Sequence, residues 1–214
     1  MPDSSRSRSS GPERFVDELL PAETRTVISH DRRGVVREPE PSPGSEPDAA
    51  TAEAAALAPD HPERALELLS AVVRANPEHW PAVIARGALL VRIMRWNEAE
   101  AELRRAVRAL PGNADALHEL GLVLSKKGLT PEAAECLRRV TELRPDSAAD
   151  WYYLGEALNR AGRFTEAHKA LLRVTELDPH AARAWQLLGR ILDRLRRPDD
   201  AIAMYRRARG IPTR

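Results

Sequence analysis

The sequence of 214 residues has few of the residues on which several classes of protein depend. It contains one cysteine, so disulfide bonds cannot hold the chain together. Only 4% of the residues are aromatic, and no apolar run approaches the roughly 20 residues that a membrane-spanning helix needs. The first six residues also lack the apolar core of a secretory signal. We therefore expect a cytoplasmic protein without a membrane span.

Charge and chemical motifs exclude further classes of protein. The 33 basic and 32 acidic residues leave a formal charge of +1, which gives little general attraction to nucleic acid. The chain has no glycine-rich phosphate loop, no nucleophile motif and no histidines at metal-binding spacing. The lone Cys136 is expected to be a structural thiol. We therefore predict no catalytic residue, no metal, no cofactor and no nucleic-acid partner.

The first 45 residues differ in composition from the rest. Residues 1–45 are rich in serine, proline and charge, and their apolar residues form only two small clusters. Such a segment buries too little surface to offset its conformational entropy, so we predict a flexible, disordered arm. Within it, residues 14–20 form a candidate docking segment, because four apolar side chains recur there at helical spacing. These side chains are Phe15, Val16, Leu19 and Leu20.

From residue 46 onward the chain repeats itself every 34 residues. Proline, glycine, alanine and leucine each recur in columns at this step, and the shared register of the columns indicates true repeats. The glycine column contains Gly87, Gly121, Gly155 and Gly189, and one leucine column contains Leu103, Leu137, Leu171 and, last, Tyr205. Small residues in a column suit places where two helix backbones approach closely, and the leucines fill the space beside them.

Each repeat is predicted to be a pair of amphipathic helices. In the fourth repeat the first helix should run from about Asp150 to Ala161, and the second should start near Thr165. Gly162 in this repeat and Gly128 in the one before it are expected to stop the first helices.

The repeats resemble the tetratricopeptide repeat. The segments Trp151-Tyr152-Tyr153-Leu154-Gly155 and Trp185-Gln186-Leu187-Leu188-Gly189 match the start of its signature, and the alanine, leucine and proline columns match the remainder. Trp151 and Trp185 fill the core position of that signature, so packing is the expected role of both rings. Arg86 departs from the pattern, because it stands where the other units have leucine.

This resemblance implies an all-α, right-handed superhelix, an α-solenoid of five helix-turn-helix hairpins. The units comprise residues 46–79, 80–113, 114–147, 148–181 and 182–213, within a domain of residues 46–214. In proteins of this family the first helices line a concave groove that holds a segment of another protein.

The positions that line this groove in the family have a different character in the two halves of the array. The early half is apolar and comprises Leu57, Ile84, Ala88, Val91 and Leu122. The late half is polar and basic and comprises His118, Lys126, Tyr152, Glu156, Asn159, Arg160, Arg183, Gln186, Arg190 and Arg194. Arginines there could hold acidic side chains, although a merely solvated face has the same composition.

The sequence therefore predicts a non-catalytic adaptor or assembly scaffold that binds a partner protein or peptide, acidic at one end, in the groove. The alternative is a structural subunit of a larger assembly that uses the end of the array, its outer face and the N-terminal arm. Self-association through the C-terminal hairpin would be one form of the alternative, because the last hairpin carries apolar residues such as Ile202, Met204 and Tyr205.

Overall fold

Helices make up almost all of the chain that can be described. The computed structural model describes residues 45–210, which contain ten α-helices and no strand. The helices are α1 (Ser45–Leu57), α2 (Pro62–Ala75), α3 (Trp80–Arg92), α4 (Trp96–Ala109), α5 (Ala114–Lys126), α6 (Thr130–Leu143), α7 (Ala148–Arg160), α8 (Phe164–Leu177), α9 (Ala182–Arg194) and α10 (Pro198–Ala208). The predicted arm and its docking segment at residues 14–20 lie outside the described residues.

The helices pair in chain order and stack as hairpins. Each odd-numbered helix packs against the even-numbered helix that follows it, and each hairpin packs against the next one. The backbones of odd-numbered helices also approach each other along the stack, whereas among the described residues even-numbered helices meet only through long side chains. The odd-numbered helices therefore form the inner layer and the even-numbered helices the outer layer. The predicted α-solenoid of five hairpins is confirmed.

Local signals set where the helices begin. The Ser147 side chain accepts a hydrogen bond from the backbone N–H of Asp150, and Asn113 caps α5 in the same way. Because of this cap, α7 begins at Ala148, two residues before the start expected near Asp150.

Glycines end two of the inner helices, and other residues do so elsewhere. Gly128 and Gly162 lie in the left-handed backbone region, with φ of 81° and 75°, as expected for helix stops. In the second and fifth hairpins the same turn is made by Met94 and Arg196, with φ of 62° and 60°. A left-handed conformation costs a residue with a Cβ about 1–2 kcal/mol, so these two turns are locally strained.

The glycine column lies where the two helices of a hairpin cross. A Cβ built on Gly121 or Gly155 would lie 2.7 Å from Cγ of Leu137 or Leu171, which is too close for any real contact. These leucines are almost completely buried, so they cannot move away into solvent. Glycine and leucine thus act as a pair, and together they fix how closely α5 approaches α6 and α7 approaches α8.

The two tryptophans of the signature pack between hairpins as predicted. Trp185 is only 7% exposed, and its indole N–H donates to the carbonyl oxygen of Pro179 at 2.9 Å. Trp151, which is half-buried against the core, donates in the same way to Pro145 at 2.8 Å. Trp80 is also half-buried, and the guanidinium of Arg105 lies 5.5 Å from the centre of its ring. Each indole therefore belongs to a structural contact.

Candidate peptide-binding groove

The inner layer presents one continuous surface from α1 to α9, because each odd-numbered helix contacts the next odd-numbered helix. All of the groove residues predicted from the sequence lie on these helices. We call this surface the inner groove. Its early half lies on α1 and α3 and includes Leu122 of α5, and its late half lies on α7 and α9 and includes His118 and Lys126 of α5.

The early half of the inner groove is apolar and partly shielded. Leu57, Ile84, Ala88, Val91 and Leu122 are all half-buried, so each keeps some surface open to a partner. Ile84 also lines a pocket of about 360 Å³. The pocket lies between α3 and α5, with Trp80, Pro81, Ala85, Leu110, Asn113 and Asp115 as its other lining residues.

His118 joins two hairpins instead of projecting freely into the groove. Its Nδ1 lies 2.7 Å from Oδ1 of Asp150, which is only 3% exposed, and the edge of its ring meets Tyr153 with the ring centres 5.2 Å apart. This contact ties α5 to α7. Sequence reasoning missed Asp150, although a signal was present, because its column holds the completely buried alanines Ala82, Ala116 and Ala184 in three of the other four hairpins, with Asp48 in the first.

Side chains at the centre of the late half also bind each other. Arg160 donates to Glu156 at 2.7 Å and to the hydroxyl of Ser125 at 3.2 Å, so part of its charge is already neutralised within the groove. The side-chain oxygen of Asn159 is buried and has no hydrogen-bond partner among the described residues. Lys126, at the end of α5, is exposed.

The arginines of α9 stand out because many other arginines of the array are paired. Nine arginines of the described residues form ion pairs with carboxylates. Within residues 45–210 neither Arg183 nor Arg190 forms such a pair, and both are exposed. Arg194 instead lies over the ring of Phe164, 5.2 Å from its centre. Gln186, between the two free guanidinium groups, is exposed as well.

Tyr152 connects these arginines to the rest of the late half. Burial raises the pKa of the Tyr152 hydroxyl, and the nearby carboxylate of Glu156 raises it further. Arg183 and Arg190 act in the opposite direction, because their positive charges favour the ionised form and lower the same pKa.

A small apolar pocket lies beside Arg183, between α7 and α9. Its volume is about 380 Å³, and small side chains leave room for it at the start of both helices. It is lined by Ala148, Ala149, Tyr152, Tyr153, Val174, Asp178, Ala181, Ala182, Arg183 and Ala184. Sequence reasoning assigned apolar contacts only to the early half and missed this pocket. The alanine pairs at 148–149 and 181–182 were the available signal.

The described residues give little support for a metal site, a reactive thiol or a membrane span. Residues 45–210 contain no group of three or more histidine, cysteine, aspartate or glutamate side chains that could hold a metal ion. Burial raises the pKa of the half-buried Cys136 thiol, which keeps it protonated near neutral pH. Within the same stretch no helix combines the length and the apolar character needed to cross a bilayer.

Comparison with known proteins agrees with this geometry. The tetratricopeptide repeat model matches residues 54–114, 118–167 and 160–213, so the chain belongs to the tetratricopeptide repeat family. No curated protein matches the chain in sequence. Members of this family are generally non-catalytic modules for interaction with other proteins.

Two solved structures illustrate the similarity of the fold. MamA from Desulfovibrio magneticus RS-1, residues 41 to the end, is 20% identical, with a TM-score of 0.72 over 77% of this chain and 94% of that chain. YrrB, described as a tetratricopeptide repeat protein with an unusual peptide-binding site, is 25% identical. Its TM-score is 0.69 over 78% of this chain and 87% of that chain.

Proposed function

We propose that this protein is a non-catalytic adaptor that holds an extended segment of a partner protein in the inner groove. The observation that carries the proposal is the position of Arg183 and Arg190 near the apolar pocket between α7 and α9, because neither guanidinium has a carboxylate partner among residues 45–210. Exposed arginines next to an apolar pocket can hold a peptide by its charge and by one anchoring side chain together.

The chemistry of the inner groove suggests which partner it fits. Carboxylates of the partner would meet Arg183 and Arg190, and a large apolar side chain would enter the pocket lined by Tyr152. The exposed amide of Gln186 can bond to the backbone of an extended peptide. Further along, the half-buried apolar residues of α3 would contact apolar side chains of the same segment. The partner is therefore a peptide that is acidic at one end and apolar toward the other.

Peptide binding by a similar protein supports this proposal, since YrrB is described as having a peptide-binding site. Charge-assisted hydrogen bonds contribute about 1.5–3 kcal/mol each where they are shielded, and ion pairs at an open rim contribute at most about 1 kcal/mol. Two charge-assisted contacts and one buried apolar side chain can give micromolar binding when the partner segment lies in the groove, because the groove shields them. The same contacts at an open rim would be too weak.

A random peptide display library tests the proposal, because it offers the groove peptides of many compositions. The wild-type chain should enrich peptides that carry acidic residues near a large apolar residue. A triple variant with Arg183→Ala, Arg190→Ala and Arg194→Ala should lose the preference for acidic residues and bind the enriched peptides at least tenfold more weakly. Its thermal unfolding should change little, because these side chains are exposed.

The matched control changes three exposed arginines of the outer layer, Arg64, Arg108 and Arg206, to alanine. This variant has the same net charge as the first, so a general electrostatic effect would weaken both equally. Equal binding by the two triple variants, or a library selection without any acidic preference, would contradict the proposed role of the basic half.

A structural subunit remains the second candidate, and one observation favours it. Ile202 on the last helix is 50% exposed. A pocket of about 360 Å³, lined by Gln186, Arg190, Tyr205, Ala208 and Arg209, also opens on this hairpin. Light scattering of the purified chain separates the two functions, because stable self-assembly that Ile202→Ser abolishes would favour the subunit. The cytoplasmic location expected from the sequence stays a prediction.

A further inference from the structure

A second groove lies on the outer layer, on the side of the molecule opposite to the inner groove. It runs between α2 and α4 and has a volume of about 670 Å³. Its apolar floor is formed by Leu66, Leu90 and Ala101, and charged side chains surround this floor. We call it the first outer groove, because the same space recurs between the outer helices of later hairpins.

The outer groove between α6 and α8 contains an arginine that lies between two carboxylates. Arg138 of α6 crosses this groove, pairing with Glu135 of its own helix and with Glu166 of α8, the latter at 3.3 Å. Glu166 accepts this contact although Arg163 already binds it with two hydrogen bonds of 2.7 Å. One carboxylate therefore serves two guanidinium groups, and the crossing arginine links the two hairpins.

The first outer groove contains the same partners without the crossing arginine. Two repeats earlier, Glu67 stands in the position of Glu135 and Glu98 in the position of Glu166. Arg95 binds Glu98 with two hydrogen bonds of 2.8 and 2.7 Å, as Arg163 binds Glu166. The position of Arg138, however, is Ser70, whose short side chain cannot cross the groove.

The groove between α4 and α6 has a crossing arginine as well, whereas the groove between α8 and α10 has Leu172 in that position. Between α4 and α6, Arg104 occupies the position of Ser70 and Arg138, and it pairs with Glu100 of its own helix and with Glu132 at 2.9 Å. Two successive outer grooves are therefore crossed by an arginine between two carboxylates, although a pocket of about 750 Å³ remains beside Arg138. The first outer groove has both carboxylates but lacks the crossing arginine.

The floor of the first outer groove also carries an unusual ion pair. Arg86 and Glu102 pair at 2.6 Å where the fourth hairpin has the apolar residues Leu154 and Ala170. The second carboxylate oxygen of Glu102 is buried and has no hydrogen-bond partner among the described residues. A buried acceptor of this kind favours the approach of a donor.

We propose that the first outer groove binds the side chain of an arginine presented by a partner protein. The guanidinium lies between Glu67 and Glu98, in the place that Arg138 occupies two repeats later, and its alkyl chain lies on Leu66 and Leu90. Glutamates outnumber arginines by four to three around the groove, so the site favours a cation. Arginine suits it better than lysine, because a planar guanidinium can bind two carboxylates at once.

The test uses the full chain and N-acetyl-arginine amide as the probe, at low ionic strength. We expect a dissociation constant on the order of 1 mM, with amide chemical shift changes in the NMR spectrum confined to α2, α4 and the end of α3. N-acetyl-citrulline amide has the same shape without the charge, so it should bind at least tenfold more weakly. Glu67→Gln should weaken binding of the arginine probe about tenfold, whereas Glu135→Gln, in the groove that Arg138 crosses, should leave it unchanged.

Two further variants exchange the residues at the position of the crossing arginine in the two grooves. Ser70→Arg should fill the first outer groove from within, abolish binding of the probe and raise the melting temperature. Arg138→Ser should create a second binding site between α6 and α8. For the wild-type chain, equal binding of the citrulline and arginine probes, or shift changes outside α2, α4 and the end of α3, would overturn the proposal. Full retention of binding by Ser70→Arg would overturn it as well. All of these outcomes are independent of the inner groove.

Discussion

Single glycines determine how closely the two helices approach in the second to fifth hairpins. At these four crossings of an inner and an outer helix, the missing side chain of glycine is matched by a leucine that fills the space, and Tyr205 takes the place of leucine in the last hairpin. The hydroxyl of Tyr205 donates a hydrogen bond to Asp193 at 2.7 Å, so this larger residue gains a polar partner that leucine lacks. The pair of residues, rather than glycine alone, is therefore the unit of packing.

The first prediction concerns Gly121, whose added Cβ would lie 2.7 Å from Cγ of the buried Leu137. Gly121→Ala should destabilise the protein, since overpacking a core costs about 1–3 kcal/mol and the better helix propensity of alanine returns only about 1 kcal/mol. Urea unfolding measures the difference. Gly112→Ala is the control, because a Cβ there would meet nothing within 4 Å. Equal stability of the two variants would contradict the packing role of the glycine column.

The second prediction concerns the half-buried Glu119 on α5. Burial raises the pKa of its carboxyl group, and Asp115 raises it further, while His118 lowers it. The folded protein therefore holds this proton more tightly than the unfolded chain, so the group stabilises the fold at low pH and this stabilisation is lost as pH rises through the folded pKa. Glu119→Gln, which mimics the protonated form, should raise the melting temperature at pH 7 and leave it unchanged near pH 3.

Calorimetry at both pH values measures this effect, with Glu142→Gln as the control because Glu142 is exposed on α6. A melting temperature of Glu119→Gln below that of the wild type at pH 7 would show that the ionised carboxylate is stabilising instead.

The local structure could be predicted from the sequence where a residue matches its repeat column, and it could not where a residue differs from its column. The glycine and leucine columns indicated a close approach of two helices, which the structure shows. The left-handed turns at Met94 and Arg196 had no sequence signal, because neither residue favours that conformation. At these positions the packing of the hairpin overrides the local preference of the residue.

Pairs of helices are linked by polar contacts that recur at the repeat step. Arg139 of α6 donates to the carbonyl oxygen of Pro111 at 2.6 Å, and Arg105 of α4 makes the equivalent bond to Pro77. Each bond joins an outer helix to the loop before its own hairpin. These contacts explain why arginine recurs on the outer helices, where much of its charge serves the structure.

The third prediction concerns the contact between α5 and α7. Removal of His118 leaves the carboxylate of Asp150 buried without its partner, whereas removal of Asp150 leaves a more exposed imidazole and restores the alanine of that column. His118→Ala should therefore destabilise the protein by about 1–3 kcal/mol, and Asp150→Ala by less. Urea unfolding of both single variants and of the double variant measures the coupling. A larger loss for Asp150→Ala would contradict this explanation.

The bounds of the helices could be read closely from the sequence, but the bonds between inner helices could not. Caps and stops act within a few residues, so local patterns contain them. The pairing of His118 with Asp150 spans 32 residues and depends on how two hairpins are aligned. The sequence therefore predicted a set of groove positions without indicating which of their side chains already bind each other.

Stability of the whole array is distributed over neighbouring hairpins. Among the described residues, no helix contacts a helix beyond the adjacent hairpin. The terminal hairpins therefore have one neighbour where the inner hairpins have two. Accordingly, α10 has only Ala201 as a buried residue, whereas α5 has six buried residues.

The fourth prediction follows from this distribution. Native-state hydrogen exchange should be slowest in α5 to α8 and faster by at least tenfold in α1 and α10, because helices with fewer buried contacts open at lower free energy. Mass spectrometry of exchanged peptides measures the order. Uniform protection of all ten helices would show that the array unfolds only as a single unit.

The architecture could be predicted from the sequence because the period of 34 residues is a property of the whole chain. The inner groove and the first outer groove differ in how far the sequence predicts them. Groove-lining positions of the inner layer followed from the family resemblance, whereas the first outer groove became visible only when the structure placed Ser70, Glu67 and Glu98 next to each other.

The restriction of contacts to adjacent hairpins has a mechanical consequence. A pulling force on the two ends of the array would be carried in series by four interfaces between hairpins, so small rotations at each would add up. The molecule should extend like a soft spring, and its curvature should flatten under tension before any helix unfolds. A segment held along the inner layer would then be stretched or released according to the load on the two ends.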